Sequence, residues 1–207
     1  MKELTIPITP KAIQELHCGD SVTLTGILAT GRDTVHKWMI DTFIRKTRLP
    51  EGDDLEVYQA IQPIFKESLI YHCGPVVSGL DAGDYQFVAA GPTTSIREEP
   101  YQSEILHHFN MRGVIGKGGM GEGTLQACQD VPAAYFHAVG GAATLIAQSV
   151  EKVIGVYKLD FGVPEAIWVL KVKGFPVVVT MDSHGESMHA EVENESNKKL
   201  EELLEDS

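Results

Sequence analysis

Along the 207-residue chain, apolar positions follow two spacings. In VTLTGILAT (22–30) polar and apolar residues alternate and β-branched side chains dominate, which predicts a strand. In DTVHKWMIDTFIRK (33–46) the apolar positions Val35, Met39, Ile40 and Phe43 recur at helical spacing, and one helix is expected. The same two readings run through the chain. ELTIPI (3–8) predicts an edge strand, and PKAIQEL (10–16) a short helix closed by the Gly19-Asp20 turn. SLIYHCG (68–74) and YQFVAAG (85–91) read as buried strands separated by the loop VSGLDAGD (77–84). Ser95 and Glu98 form an S-x-x-E capping box, so a helix is predicted to begin there and run over 95–110, with Pro100 either within its first turns or separating two helical pieces.

RGVIG (112–116) and AAYFHAVG (133–140) are further strands, with TLQACQD (124–130) as the helix between them. AATLIAQSVEKV (142–153) reads as a helix, and IWVLKV and FPVVVTMD as a hairpin turned at Lys173-Gly174. Strands alternating with helices, and strands that are apolar throughout, predict an α/β fold with a mostly parallel central sheet. The proline-bearing hairpin regions suggest a smaller second sheet. One domain over 1–190 with a charged helical tail over 191–207 is the expected organisation.

Composition narrows the function. The net charge of -12 argues against nucleic acid or an anionic membrane as a partner, and it makes cations on loops informative. No run reaches the roughly 20 apolar residues of a membrane helix, and MKELTIPITP lacks a secretion-type apolar segment, so a cytoplasmic location is expected. Cys18, Cys73 and Cys128 are far apart, which predicts neither a disulfide framework nor a metal or iron–sulfur site within the chain. His184 and His189 do not have a recognised ligand spacing either.

GKGGMGEG (116–123) contains G-x-G-x-x-G, yet no acidic residue follows at the end of the next strand, where a nicotinamide enzyme holds its ribose. Walker A fails because no G-K-[ST] ends the loop. What the loop does offer is Lys117 beside backbone N–H groups. Arg32 follows the strand ending near Gly31, with Asp33 or Thr34 expected to cap the next helix. Arg97 follows Thr93, Thr94 and Ser95 behind the YQFVAAG strand. Three strand-to-helix turns each carrying a cation predict a site for a small dianion such as a dicarboxylate, gripped by guanidinium forks.

TGRDTVHK, AAGPTTSIR, GKGGMG, HAVGGAA and FGVPEAIWVLKVKGFPVVVTMDSHG, in that order, resemble the carboxyl-terminal region of class I fumarases. They equally resemble the β subunit of two-subunit fumarases and L(+)-tartrate dehydratases. The resemblance implies a swivelling β/β/α domain and a hydro-lyase acting on a four-carbon dicarboxylate. It implies a [4Fe-4S] cluster ligated by an α subunit and not by this chain, an α2β2 assembly, and self-pairing of the chain when isolated. By motif, Arg32 and Arg97 would bind substrate carboxylates, Thr93 would take part in proton transfer, and Lys117 would be the active-site lysine. Thr94 and Gly118, in the same turns, would line the substrate. Fumarate and tartrate both remain open as substrates. A non-catalytic dicarboxylate-binding module is the rival from another class.

Overall fold

The computed structural model describes residues 1–205. The chain starts with β1 (Lys2–Thr5), α1 (Pro10–Gln14), β2 (Ser21–Thr30) and α2 (Asp33–Met39), followed by a single π-helical turn over Ile40–Ile44. Next come α3 (Asp54–Phe65), β3 (Leu69–Tyr71), β4 (Val76–Ser78), β5 (Gln86–Ala89), a 3₁₀ turn over Ser95–Glu98 and α4 (Glu99–Phe109). The remainder is β6 (Gly113–Gly116), α5 (Glu122–Asp130), β7 (Ala134–His137), α6 (Ala143–Ala147), β8 (Val150–Tyr157), β9 (Ile167–Met181) and α7 (Met188–Glu205). The expected α/β class holds, with a mostly parallel main sheet and a small antiparallel sheet beside it.

The main sheet runs β1-β2-β3-β6-β7-β9-β8, with β1, β2, β3, β6 and β7 mutually parallel. β9 pairs antiparallel with β7 and with β2, so β2, β3, β6, β7 and β9 form a closed ring of pairings. Closure explains why the central strands carry no polar face. Leu69, Tyr71, Ile115, Ala134 and Phe136 point into the ring with Trp168, Leu170 and Phe175. Their neighbours Ile70, Val114 and Tyr135 point outward to a second core filled by Val35, Ile61, Ile105 and Ala127 of the helices. A strand buried on both faces reads as continuously apolar.

Several sequence expectations are corrected. The hairpin over 167–182 is one 15-residue strand, β9. Lys173-Gly174 is a bulge: two steps on β2, Leu24 to Gly26, face three on β9, Phe175 to Val172. The extra residue switches the inward set from Trp168, Leu170 and Val172 to Phe175, Val177 and Val179. Gly174 takes φ +65 and donates its N–H to Thr25 Oγ1, so a turn signal became a kink. The helix expected over 142–153 stops at Ala147, and SVEKVIGVY supplies β8, an edge strand on β9. YQFVAAG is not a buried main-sheet strand. Its β5 pairs only with β4, which starts at Val76 and ends inside the supposed loop, and these two form the small sheet in place of the expected hairpin.

Two helical readings change as well. The 33–46 helix loosens into the π turn after Met39, and α3 arises from a segment assigned no element, where Val57, Ile61 and Phe65 bury one face. The 95–110 helix is two helical pieces, a 3₁₀ turn and then α4, and Pro100 falls in the first turn of the second piece. Ser95 does not cap it, because its hydroxyl is used in the core. In the charged tail, α7 runs from Met188 to Glu205 and is almost wholly exposed, while Asp206 and Ser207 lie outside the described residues. No helix among the described residues is long and apolar enough to cross a membrane.

Candidate functional site

β2, β3, β6 and β7 are parallel, so their carboxyl ends share one edge of the sheet, where an α/β fold gathers ligands. Arg32 lies just beyond β2 and Lys117 just beyond β6. The segment 93–95 does not follow a strand of this sheet, contrary to the expectation of three equivalent turns. It is instead inserted between the extended ends of β3 and β6. Thr93 donates its N–H to His72 O (2.7 Å), Lys117 to Thr93 O (3.3 Å), and Ser95 to Lys117 O (3.0 Å). Thr94 and Lys117 thus form a short parallel bridge, with Gly118, at φ +81, directly after it.

The second link joins this segment to α2. Arg97 pairs with Asp33, bringing the Arg97 turn to the Arg32 turn. Asp33 therefore neutralises an arginine and does not cap α2. Its neighbour Arg32 pairs with Glu165, Nη1 to Oε1 at 3.1 Å. Arg32, Thr93, Thr94, Arg97, Lys117 and Gly118 consequently belong to one continuous stretch of the sheet edge. Lys117 extends beside Gly140 and has no carboxylate partner among the described residues. The Thr93 hydroxyl is buried and likewise unpartnered there.

Beneath the edge lies a polar chain with no solvent access. His36, His72, Ser95, Gln102 and Tyr135 are all fully buried. His36 Nδ1 bonds Arg32 O at 2.8 Å, and since a carbonyl only accepts, the proton sits on Nδ1. Burial pushes the pKa of His36 down, keeping the ring neutral and leaving Nε2 a bare acceptor. The Gln102 amide meets that atom at 2.9 Å and His72 Nε2 at 3.0 Å through the position assigned to its oxygen. Two acceptors cannot bond, so the amide is best turned to offer its NH₂ group to both rings. His72, also held neutral by burial and then by the nearby His36, donates from Nδ1 to Ser95 Oγ at 2.8 Å, which Tyr135 OH meets at 2.8 Å. Local sequence predicts a helix cap for Ser95 and gives His36 no distinct signal. The partners that define them come from β3, α4 and β7, beyond the reach of local spacing.

Glu98 is buried, and desolvation, followed by its hydrogen bond to Asp33 and then the Asp33 charge, pushes its pKa up to about 8. Glu99 was not anticipated. Its carboxylate accepts from Gly121 N (2.8 Å), Thr124 N (3.1 Å) and Thr124 Oγ1 (2.7 Å), closing the amino end of α5. The glycine loop therefore does not aim those N–H groups outward, as its sequence suggested. Gly119, at φ +77, lies against His189, where a Cβ would collide with the ring. His189 reaches Thr180 Oγ1 at 2.9 Å.

The three cysteines do not form a ligand set. Cys73 and Cys128 are buried in different cores with thiols pushed up to about 12 by burial. Cys18 is raised to about 11 by burial and the Asp182 charge. No group of three His, Cys, Asp or Glu side chains able to hold a metal occurs among the described residues.

Comparison with known proteins gives a consistent result. A Geobacillus stearothermophilus protein named as a class I fumarate hydratase is 46% identical over 202 residues, covering 98% of this chain but only 36% of its own length. A Methanocaldococcus jannaschii protein named as a β subunit of L(+)-tartrate dehydratase is 38% identical, with 95% of both chains covered. The Escherichia coli L(+)-tartrate dehydratase β subunit is 35% identical over 96% of this chain and 89% of its own. The family described as Fumarase C-terminus matches residues 2–192, and with motifs, fold and relatives in agreement, the chain belongs to that family.

Proposed function

We propose that this chain is the β subunit of a class I fumarate hydratase, interconverting L-malate with fumarate and water when docked on an α subunit. The observation that carries the reading is the joining of two guanidinium groups, one lysine without a carboxylate partner and one buried hydroxyl along a single sheet edge. Identity favours the fumarase relative, while the length match favours the β-subunit architecture. L(+)-tartrate is the second substrate reading, favoured by the names of those full-length relatives.

In this reading Arg32 and Arg97 each grip one carboxylate of the substrate. Dehydration of malate removes a proton from C3 and hydroxide from C2. Removal of the C3 proton pushes charge onto the adjacent carboxylate, and Lys117 with the arginines stabilises that aci-carboxylate. In this reading the Thr93 hydroxyl relays the proton, which its lack of a partner among the described residues supports. Its own pKa is far too high for it to act as a base alone, so neighbouring cations must favour its ionised form. A [4Fe-4S] cluster, ligated by the α subunit, would supply the Lewis acid for the departing hydroxyl. Thr94 and Gly118 would line the substrate.

The test is anaerobic assembly with the α subunit, followed by dehydration assays on L-malate and L(+)-tartrate. Preference for malate supports fumarase, and preference for tartrate changes the substrate while keeping the residue roles. Unchanged turnover in both Arg32→Ala and Lys117→Ala would sink the site assignment.

A further inference from the structure

Glu165 has no assigned role, yet its carboxylate holds two parts of the Arg32 corner together. One oxygen lies 3.1 Å from Arg32 Nη1, and the other accepts the N–H of Thr34 at 3.2 Å, in the first turn of α2. The carboxylate is itself anchored. Glu165 N and Ala166 N both donate to Gly162 O at 2.9 Å, and the Thr30 hydroxyl clamps the segment through Ala166 O and Trp168 N. Trp168 Nε1 adds a bond to Val163 O. The opposite side of the guanidinium is fixed by a missing side chain. A Cβ on Gly74 would lie 2.5 Å from Arg32 Nη1 and 3.2 Å from Pro164 Cβ. Arg32 therefore lies in a slot floored by Gly74 and walled by Pro164 and Glu165, with its side chain only 20% exposed.

We propose that Glu165 is a positioning residue that pre-orients Arg32 for the substrate carboxylate; this rests on the reading of Arg32 as a carboxylate binder. A free arginine must lose rotamer freedom on gripping its ligand, which costs about 0.5–1.5 kcal/mol per side chain. Here one carboxylate fixes Arg32 before the substrate arrives, while further guanidinium donors remain for the ligand. Orientation of this kind acts on ground and transition states alike, so its loss raises KM and leaves kcat in place.

The experiment uses the enzyme assembled with its α subunit. Glu165→Gln, Gly74→Ala, Arg32→Ala and the Arg32→Ala/Glu165→Gln double variant are compared, with succinate as a non-reacting competitor. Glu165→Gln should raise KM and the succinate Ki together by about three- to tenfold with kcat held within about twofold. Gly74→Ala should give the same signature without touching Glu165. In the Arg32→Ala background, Glu165→Gln should change neither constant. A fall in KM and Ki for Glu165→Gln would overturn the proposal, because the carboxylate would then be competing with substrate. Equal effects with and without Arg32 would also overturn it, as would unchanged constants where Arg32→Ala alone raises both. If Arg32→Ala itself leaves KM and Ki unchanged, the reading of Arg32 fails, and the proposal falls with it.

Discussion

Arg32 and Arg97 face the same sheet edge, and each is paired with one carboxylate, but the two corners are built differently. The Arg32 side chain is 20% exposed and its partner Glu165 equally so, whereas the Arg97 side chain is 60% exposed against Asp33. A half-buried guanidinium between a glycine floor and an anchored carboxylate is set before any ligand binds. An exposed pair is screened by water and salt and contributes little by itself. One edge thus combines a fixed cation with an adaptable one. On the same edge Lys117 has no carboxylate partner and the buried Thr93 hydroxyl no hydrogen-bond partner among the described residues.

The largest expected effect tests the fixed corner. Arg32→Ala should lower kcat/KM of the assembled enzyme by about 100- to 1000-fold, the usual loss for one preorganised charge-stabilising donor. Arg97→Ala should lose less, and steady-state assays on both variants rank the corners. Equal losses would erase the distinction.

Next comes the buried chain beneath both corners. Ser95→Ala leaves His72 Nδ1 and Tyr135 OH without their shared partner and should cost about 2 kcal/mol of stability in denaturant unfolding. A loss under about 0.5 kcal/mol would mean that the network is not rigid enough to set the edge.

The Glu98 carboxyl gives a pH test. Its folded pKa of about 8 lies above the ordinary 4.5, so the folded chain holds a proton that the unfolded chain releases between these values. Stability from this group is complete below pH 4.5 and lost as pH rises through about 8. The depressed histidines His36, His72, His108, His137 and His189 work in the opposite direction, because the unfolded chain still binds their protons near pH 6.5, so the Glu98 contribution is read as the difference between the native sequence and Glu98→Gln. Between pH 6.5 and 8 that difference should fall by up to about 1.4 kcal/mol per pH unit, and a difference that does not change with pH would rule out a buried proton on Glu98. Chemical denaturation across the window reads both.

The smallest effect belongs to the exposed pair. Asp33→Asn should shift stability by no more than about 0.5 kcal/mol, since its ion pair with Arg97 is solvated. A loss above about 1 kcal/mol would show that the Arg97 corner is as fixed as its neighbour.

What sequence could foresee follows the range of the interaction. β2, β6, β7 and α5 were legible because their apolar spacing and bounding glycines are local. β8 and the single long β9 were not. Lys173-Gly174 looks like a turn in isolation and becomes a bulge only because β2 continues to pair across it. The site divides in the same way. Arg32, Arg97 and Lys117 stood out as minority cations on glycine- or threonine-rich turns. Glu165, 133 residues beyond Arg32, and Glu99 on the α5 terminus carried no local signal, because each caps a helix it does not belong to.

By itself the sequence determined the α/β class, the apolar strands and the identity of the cations at their ends, since these rest on side-chain chemistry and short-range periodicity. Tertiary structure decided the rest. Ring closure through β9 chose which residues face which core, and insertion of 93–95 between β3 and β6 brought Thr93 to Lys117. Carboxylates from remote segments then settled which helix ends and which arginines were already paired. Those outcomes depend on contacts between residues far apart in the chain, formed only when the closed sheet brings them within hydrogen-bonding distance.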